Sequence, residues 1–143
     1  MASFVNTLSD RFVELRACGL PDTLVHGDFH PGNVRGHDYG FTIMDWADCG
    51  IGHPLLDVPA FLRTLTAADQ ENMRAYWYNA WSCIPGSQPA RAGELIAPIA
   101  AARSALVYQG FLDQIEESER VYHRNDVVTW LGAAAQLVRA ELR

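Results

Sequence analysis

The sequence contains no lysine, so all eleven of its basic residues are arginines, and seventeen acidic residues outnumber them for a net charge of −6. An acidic chain without a cluster of basic side chains is a poor candidate for nucleic-acid binding, because neutralising phosphates is the main sequence-independent term in such binding. A small substrate that carries positive charge fits this balance better. The composition therefore predicts no nucleic-acid partner.

Cysteine is scarce, and long apolar runs are absent. Cys18, Cys49 and Cys83 are odd in number and show no CxxC or metal-like spacing, so free thiols in a reducing compartment are expected. The N-terminus has no basic stretch followed by an apolar core, and no segment reaches the roughly 18 consecutive apolar residues of a membrane span. These features predict a cytoplasmic protein with no membrane partner.

The apolar content is nevertheless high, at 49% of 143 residues, which suffices for a single domain with its own core. Helical periodicity predicts helices over residues 3–17, 55–65, 92–117 and 127–142, and another over 70–82 with Asp69 as its N-cap. A strand is expected over residues 23–26, a hairpin from residues 34–35 and 41–44, and a loop over 47–54. The predicted fold class is α+β, mainly α-helical, with a small embedded β-hairpin.

An aromatic stripe marks the helix predicted over residues 70–82. Tyr76, Trp77 and Trp81 recur at helical spacing with Met73. With Tyr78, these rings could form a cage for an amine. A stripe at this spacing more often packs in a core, and that is the interpretation we favour.

Polar groups are concentrated in HGDFHPGN, residues 26–33, and in IMDW, residues 43–46. Each segment adjoins a short apolar run, so strand ends are expected to hold these side chains in place. Two carboxylates such as Asp28 and Asp45, brought to about 4 Å, repel by a few kcal/mol at an effective dielectric near 20, so a cation is expected beside them. Asn33 adds a neutral carbonyl oxygen, and this set of hard ligands suits Mg²⁺. A magnesium ion shared with substrate phosphates indicates phosphoryl transfer.

The same residues allow a second interpretation, a metal-dependent hydrolase. His26, Asp28 and His30 alternate at a period of two, so on a strand they would share one face and could bind Zn²⁺ with Asp45 as a bridge. The turn at Pro31-Gly32 and the lack of a further histidine at ligand spacing count against it.

The two motifs together resemble those of the aminoglycoside phosphotransferase and choline kinase-like family, within the kinase-like fold. Its catalytic loop reads HGDxHxxN where protein kinases have HRDxxxxN, and this sequence has HGDFHPGN. The family's second motif, a hydrophobic strand ending in DW or DF and continuing to GxPxxDxA, corresponds here to IMDWADCGIGHPLLDVPAF. The resemblance covers residues 24–62 and extends to the helical remainder only in general character.

The resemblance implies a role for each matching residue. Asp28 would be the catalytic base, and because a carboxylate is weakly basic at neutral pH, orienting the acceptor hydroxyl is its main expected task. Asn33 and Asp45 would hold Mg²⁺ against the phosphates of ATP, and both Mg²⁺ and ATP are expected to bind only where a complete nucleotide lobe is present.

Three further residues are expected to support this site. Asp57 would lie buried behind the catalytic loop and accept hydrogen bonds from it. His26 would support the loop in the same way. His30 would lie close enough to contact a phosphate or a metal-bound water.

The departures from the family pattern predict an incomplete site. A complete kinase-like enzyme needs an N-terminal lobe with a phosphate-covering loop and a strand lysine, and this sequence has no lysine. We therefore expect residues 1–143 to be one domain, the C-terminal lobe alone, with catalytic and metal loops at 24–57 and a helical substrate side at 58–143. The N-terminal nucleotide lobe is expected to be absent, and the chain inactive or nearly so.

The resemblance and the expected absence of the nucleotide lobe also lead to expectations about partners and acceptor. The face where the missing lobe would dock is expected to be apolar and to self-associate. The alternative to an enzyme is a non-catalytic kinase-like binding module that holds a partner on its helical surface. The acceptor would be a small-molecule hydroxyl; aminoglycoside, choline, homoserine, sugar and macrolide all remain open.

Overall fold

The computed structural model describes residues 2–141, with side chains from residue 4 onward. In this part of the chain, seven helices and four short strands follow in the order α1 (Ala2–Asn6), α2 (Leu8–Ala17), β1 (Thr23–Val25), β2 (Val34–His37), β3 (Gly40–Ile43), β4 (Gly50–Gly52), α3 (Val58–Leu62), α4 (Ala67–Trp81), α5 (Pro89–Gln114), α6 (Glu117–His123) and α7 (Asp126–Glu141). The predicted α+β class with helix dominating is confirmed.

The strands form two separate antiparallel pairs. β2 and β3 make the predicted hairpin, in which Val34 pairs with Ile43. β4 pairs with β1, so that Val25 lies opposite Gly50. The expectation of a plain loop over residues 47–54 was therefore wrong. Gly-Ile-Gly has little strand propensity of its own, and its strand conformation comes from pairing with β1.

Helix α5 is the centre of the helical part, contacting α2, α3, α4, α6 and α7. Its buried side is rich in alanine, and Ala101 and Ala105 pack with Trp130 and Ala134 of α7. By length and composition alone α5 could cross a membrane, with a mean hydropathy of 1.4 over its most apolar window. The central helix of a globular core meets the same criterion.

The larger core cluster joins α2, α3 and α5. Leu55, just before α3, is fully buried within it, and Met73, Trp77 and Trp81 of α4 pack against it. These three side chains confirm the predicted aromatic stripe. Tyr76 was wrongly included, because it is 74% exposed.

Helix ends account for most other differences from the prediction. The helix expected over 3–17 is interrupted at Thr7, whose hydroxyl donates to the Phe4 carbonyl at 2.9 Å. Asp69 is not an N-cap. Thr66 caps α4, accepting from the Asp69 amide as an N-cap threonine does in a capping box, and its hydroxyl donates to the Asp69 carboxylate.

The second and fourth predicted helices differ from the structure in their bounds: the second is shorter than expected, and the fourth keeps its length but begins at Pro89 and so lies three residues earlier in the chain. The helix predicted over 55–65 is confined to Val58–Leu62, with Pro59 in its first turn, where a missing amide is tolerated. The long helix ends at Gln114, three residues early, because Ile115 is extended, and α6 follows unpredicted. The end of the last helix at Leu142 lies outside the described residues.

Truncation of Leu55 should test whether this core supports the loops before α3. Leu55→Ala is expected to lower the free energy of unfolding by about 2–5 kcal/mol, because it removes fully buried methyl groups and leaves a cavity. Leu106→Ala, on α5 and 75% exposed, is the matched control and should change it by less than about 0.5 kcal/mol. Urea unfolding measures both, and equal effects would contradict the described core.

Candidate functional site

The strand pairs bring the two polar motifs to one place. The loop of residues 26–33, here called the catalytic loop, follows β1 and ends in a short 3₁₀ turn at Pro31–Asn33. The hairpin β2–β3 then returns the chain, and the Met44 amide donates to the Asn33 carbonyl at 2.9 Å. Asp45 is the next residue. The hairpin register thus sets Asn33 beside the start of the second loop, residues 44–49, here called the metal loop.

Asp57 holds the start of the catalytic loop through its carboxylate. Its Oδ2 accepts from the His26 amide at 2.7 Å and its Oδ1 from the Gly27 amide at 3.0 Å. The residue is only 8% exposed. Two charge-assisted hydrogen bonds satisfy the buried carboxylate without a cationic side chain, and α3, which begins directly after it, joins this contact to the core.

Gly27 is where the two loops touch. Its φ is +89°, in the left-handed region, and a Cβ built there would overlap the backbone carbonyl of Asp48. Only glycine combines this φ with so close a backbone approach. From the other side, Arg103 of α5 donates to the Gly27 carbonyl at 3.2 Å.

His26 is 4% exposed, and both of its ring nitrogens are engaged by backbone. Nε2 lies 2.8 Å from the Met44 carbonyl, to which it must donate, and Nδ1 accepts from the Asp28 amide at 3.3 Å. The neutral tautomer with hydrogen on Nε2 satisfies both bonds. The ring therefore links the catalytic loop to the metal loop.

Asp28 and Asn33 are joined across the catalytic loop. The Asn33 amide group donates through Nδ2 to the Asp28 carbonyl at 3.0 Å, which leaves its Oδ1 available as an oxygen ligand. The Asp28 side chain is 44% exposed, and His30 Nε2 lies 3.5 Å from its Oδ2. Because His30 Nδ1 accepts from the Gly32 amide, a neutral ring carries its hydrogen on Nε2, directed at Asp28.

Asp45 adopts a backbone conformation that is uncommon for a residue other than glycine. Its φ is +61°, the one positive value at a non-glycine position among residues 2–141. Aspartate tolerates the left-handed region better than most residues, and such outliers persist only where the surroundings fix them. Its side chain is exposed, and within the described residues no hydrogen bond or ion pair engages its carboxylate.

The donor chemistry of Asn33 and Asp45 fits Mg²⁺. An unengaged carboxylate and a free amide oxygen are hard ligands, and magnesium completes its shell with water and phosphate oxygens. The geometry does not support the hydrolase alternative, because both nitrogens of His26 and one of His30 bind backbone amides or carbonyls. Residues 2–141 contain no group of three or more His, Cys, Asp or Glu suited to a metal ion.

Sequence reasoning missed several residues that adjoin the site. Phe29 of the catalytic loop stacks on Phe61 of α3, with ring centroids 4.9 Å apart, and meets the edge of Trp77 of α4. Phe29 lies inside the HGDFHPGN motif, but the spacing of residues in the sequence does not show which rings it packs against. These rings fasten the middle of the catalytic loop to the helical part.

Tyr108 of α5 is another missed neighbour of Asp28. Burial raises the pKa of the Tyr108 hydroxyl, and the charges of Asp28 and Asp126 raise this pKa further, while Arg63 lowers it. Tyr108 therefore stays neutral at physiological pH and can donate a hydrogen bond. No sequence motif marks it.

Replacement of Gly27 should disrupt the contact between the loops. Gly27→Ala is expected to lower the free energy of unfolding by roughly 3 kcal/mol or more, through left-handed strain of about 1–2 kcal/mol together with the overlap at Asp48. Gly86→Ala is the matched control: its φ is +79° and a Cβ there meets nothing within 4 Å. It should show the strain alone. Urea unfolding of the two variants gives the difference, and equal losses would refute the close approach.

Comparison with known proteins agrees with this geometry. The sequence profile of APH, the phosphotransferase enzyme family, matches residues 5–95, whereas no curated protein sequence matches the chain. Among solved structures, one similar chain is a thermostable mutant of the aminoglycoside phosphotransferase APH(4)-Ia in a ternary complex with ADP and hygromycin B.

That similarity has a TM-score of 0.53 at 21% identity, covering 96% of this chain and 43% of the other. This chain therefore spans less than half the length of that enzyme, and the likeness itself shows the fold. The profile match covers well over half of this chain, including both loops and Asp57. The chain belongs to the APH phosphotransferase enzyme family.

Proposed function

We propose that this chain carries the catalytic and metal-binding side of an ATP- and Mg²⁺-dependent phosphotransferase site, whose acceptor is a hydroxyl group of a small molecule. The observation that supports it most is the joining of the two loops: the Asn33 side chain donates to the Asp28 carbonyl within the catalytic loop, and the Met44 amide donates to the Asn33 carbonyl directly before Asp45. The APH enzyme above was solved with ADP and hygromycin B, which supports a nucleotide and a small-molecule acceptor.

Each residue has a task in this proposal. Asp28, half-exposed and flanked by His30, accepts a hydrogen bond from the acceptor hydroxyl and orients its oxygen for attack. Asn33 and Asp45 would hold Mg²⁺, which neutralises charge on the phosphates when bound. Asp57 and His26 keep the loop in shape. An acceptor carrying positive charge is favoured by the net charge of −6.

We further propose that the chain alone transfers phosphate poorly, because it has no lysine to pair with the nucleotide phosphates. Residues 1–143 are then one domain, the C-terminal lobe of a kinase-like site. The cytoplasmic location stays a prediction. Robust ATP-dependent transfer by this chain, abolished in Asp28→Ala, would contradict the proposed inactivity.

Calorimetry with Mg-ATP tests the half-site. Micromolar binding by the wild-type chain that requires Mg²⁺, and that Asp45→Ala abolishes by removing the charged ligand, would support a functional half-site. Asp38→Ala, in the exposed turn of the hairpin, is the control and should bind like wild type. A folded wild-type chain that does not bind Mg-ATP would favour the non-catalytic binding module or a fragment that needs its nucleotide lobe.

The outer surface of the strands supports a partner for this half-site. Among residues 2–141, large apolar side chains are exposed on the strands or beside them, here called the strand face: Leu24, Tyr39, Phe41, Ile43, Met44, Trp46 and Ile51. Exposed apolar surface of this kind marks interaction sites. We propose that the strand face receives a nucleotide-binding lobe and that, without one, two copies of the chain associate through it.

Self-association should therefore depend on the strand face. Sedimentation velocity over a range of concentrations is expected to show a reversible dimer, which Phe41→Thr combined with Ile51→Thr weakens at least tenfold, since both side chains are 78% exposed. The control combines Leu106→Gln with Val128→Gln, which are similarly exposed but lie on helices. A wild-type monomer at high concentration, or equal weakening by the control, would rule this out.

A further inference from the structure

Arg103 is the one charged residue between Glu94 and Asp113, in a stretch of α5 otherwise made of uncharged, mostly apolar residues. It is half-buried, and its Nη1 donates to the Gly27 carbonyl across 76 positions of sequence. Within the described residues its guanidinium forms no ion pair. Burying part of a charged guanidinium without a carboxylate partner costs free energy unless hydrogen bonds compensate for it.

The carbonyl that Arg103 binds belongs to the peptide group that leads into Asp28. The amide end of this peptide group, Asp28 N–H, donates to His26 Nδ1. Both polar ends are therefore held, one by a charged guanidinium and the other by an imidazole. Because a peptide group is planar, fixing both ends fixes the direction in which the Asp28 Cα leaves the loop.

The preceding peptide group is held in a complementary way. Its amide, Gly27 N–H, donates to Asp57. The Asp57 carboxylate, directly before α3, thus binds the Gly27 amide, and the Arg103 guanidinium of α5 binds the Gly27 carbonyl. Charge-assisted hydrogen bonds are stronger than neutral ones, so these two bonds hold the loop at Gly27, where a Cβ would overlap the Asp48 carbonyl of the metal loop.

Helix α5 is suited to act as a fixed reference for this contact. Ala101 and Ala105, two residues to either side of Arg103, are buried against Trp130 and Ala134 of α7. A guanidinium also carries several donors in a planar fork, so it can keep a carbonyl bond where an ammonium would prefer water.

We propose that Arg103 is a positioning residue for Asp28: by binding the Gly27 carbonyl, it fixes the peptide group before Asp28 and holds the Asp28 side chain in one orientation toward the cleft. This inference rests on the proposed function, because that function gives Asp28 its role. The contact itself, and its effect on Asp28, can be measured without nucleotide or acceptor.

NMR spectroscopy of the full chain tests the proposal. Arg103→Met keeps the aliphatic stem and removes the donors. It is expected to move the Gly27 carbonyl carbon resonance upfield, to speed amide exchange at Asp28 about tenfold by local opening, and to average the three-bond couplings that report the Asp28 side-chain rotamer. Arg103→Lys keeps the charge with poorer geometry and should restore these signals in part.

Controls separate positioning from general stability. Arg139→Met, an exposed arginine on α7, should leave the loop signals at their wild-type values. Arg103→Gln replaces the methionine variant if that variant fails to fold, with smaller changes in the same directions. Unchanged loop signals in the Arg103 variants would overturn the proposal. So would faster exchange spread evenly over α5 and α7, since that indicates a structural role only.

The outcome is independent of the calorimetric test of function. A wild-type chain that does not bind Mg-ATP would leave the catalytic role of Asp28 without support and the measured contact in place. Normal Mg-ATP binding combined with unchanged loop signals in Arg103→Met would leave the proposed function standing and remove Arg103 from it.

Discussion

The buried carboxylate of Asp57 is the constraint on which the site depends. It accepts hydrogen bonds from two consecutive amides of the catalytic loop, and hydrogen bonds to a charged group are worth roughly 1.5–3 kcal/mol each. A buried carboxylate without those amides would carry an uncompensated charge. These two hydrogen bonds therefore hold the loop against the helical part, because the loop supplies the donors and Asp57, directly before α3, supplies the acceptor.

That anchoring reaches the metal loop through two backbone contacts and one contact between side-chain rings. Gly27 approaches Asp48 too closely for any side chain, the Met44 amide donates to Asn33, and the His26 ring lies 4.7 Å from that of Trp46. The two loops consequently behave as one packed unit, although β1–β4 and β2–β3 are each only two strands wide. Changes in one loop should be felt in the other, since substitutions at contacting residues are not independent.

Sequence alone predicted what is local and left out what depends on tertiary contacts. The spacing of HGDFHPGN and IMDW predicted two polar loops that the structure brings together, and periodicity located the principal helices, because both signals lie in adjacent residues. β4 was missed because Gly50–Gly52 becomes a strand only by pairing with β1. Arg103 was missed because its partner is 76 positions away, although a single charge in an apolar stretch of helix was a signal that could have drawn attention to it.

The catalytic loop and the strand face differ in how far the rest of the chain covers them. The loop of residues 26–33 is tied to a helical core by Asp57, Arg103 and the stack of Phe29 on Phe61, whereas the strand face leaves apolar side chains in water. On our proposal that a nucleotide-binding lobe joins at that face, association would not have to order the catalytic loop, because the loop is already held from behind. Preorganisation of this kind lowers the entropic cost of binding. The free energy from covering the strand face would then go largely into closing the nucleotide cleft.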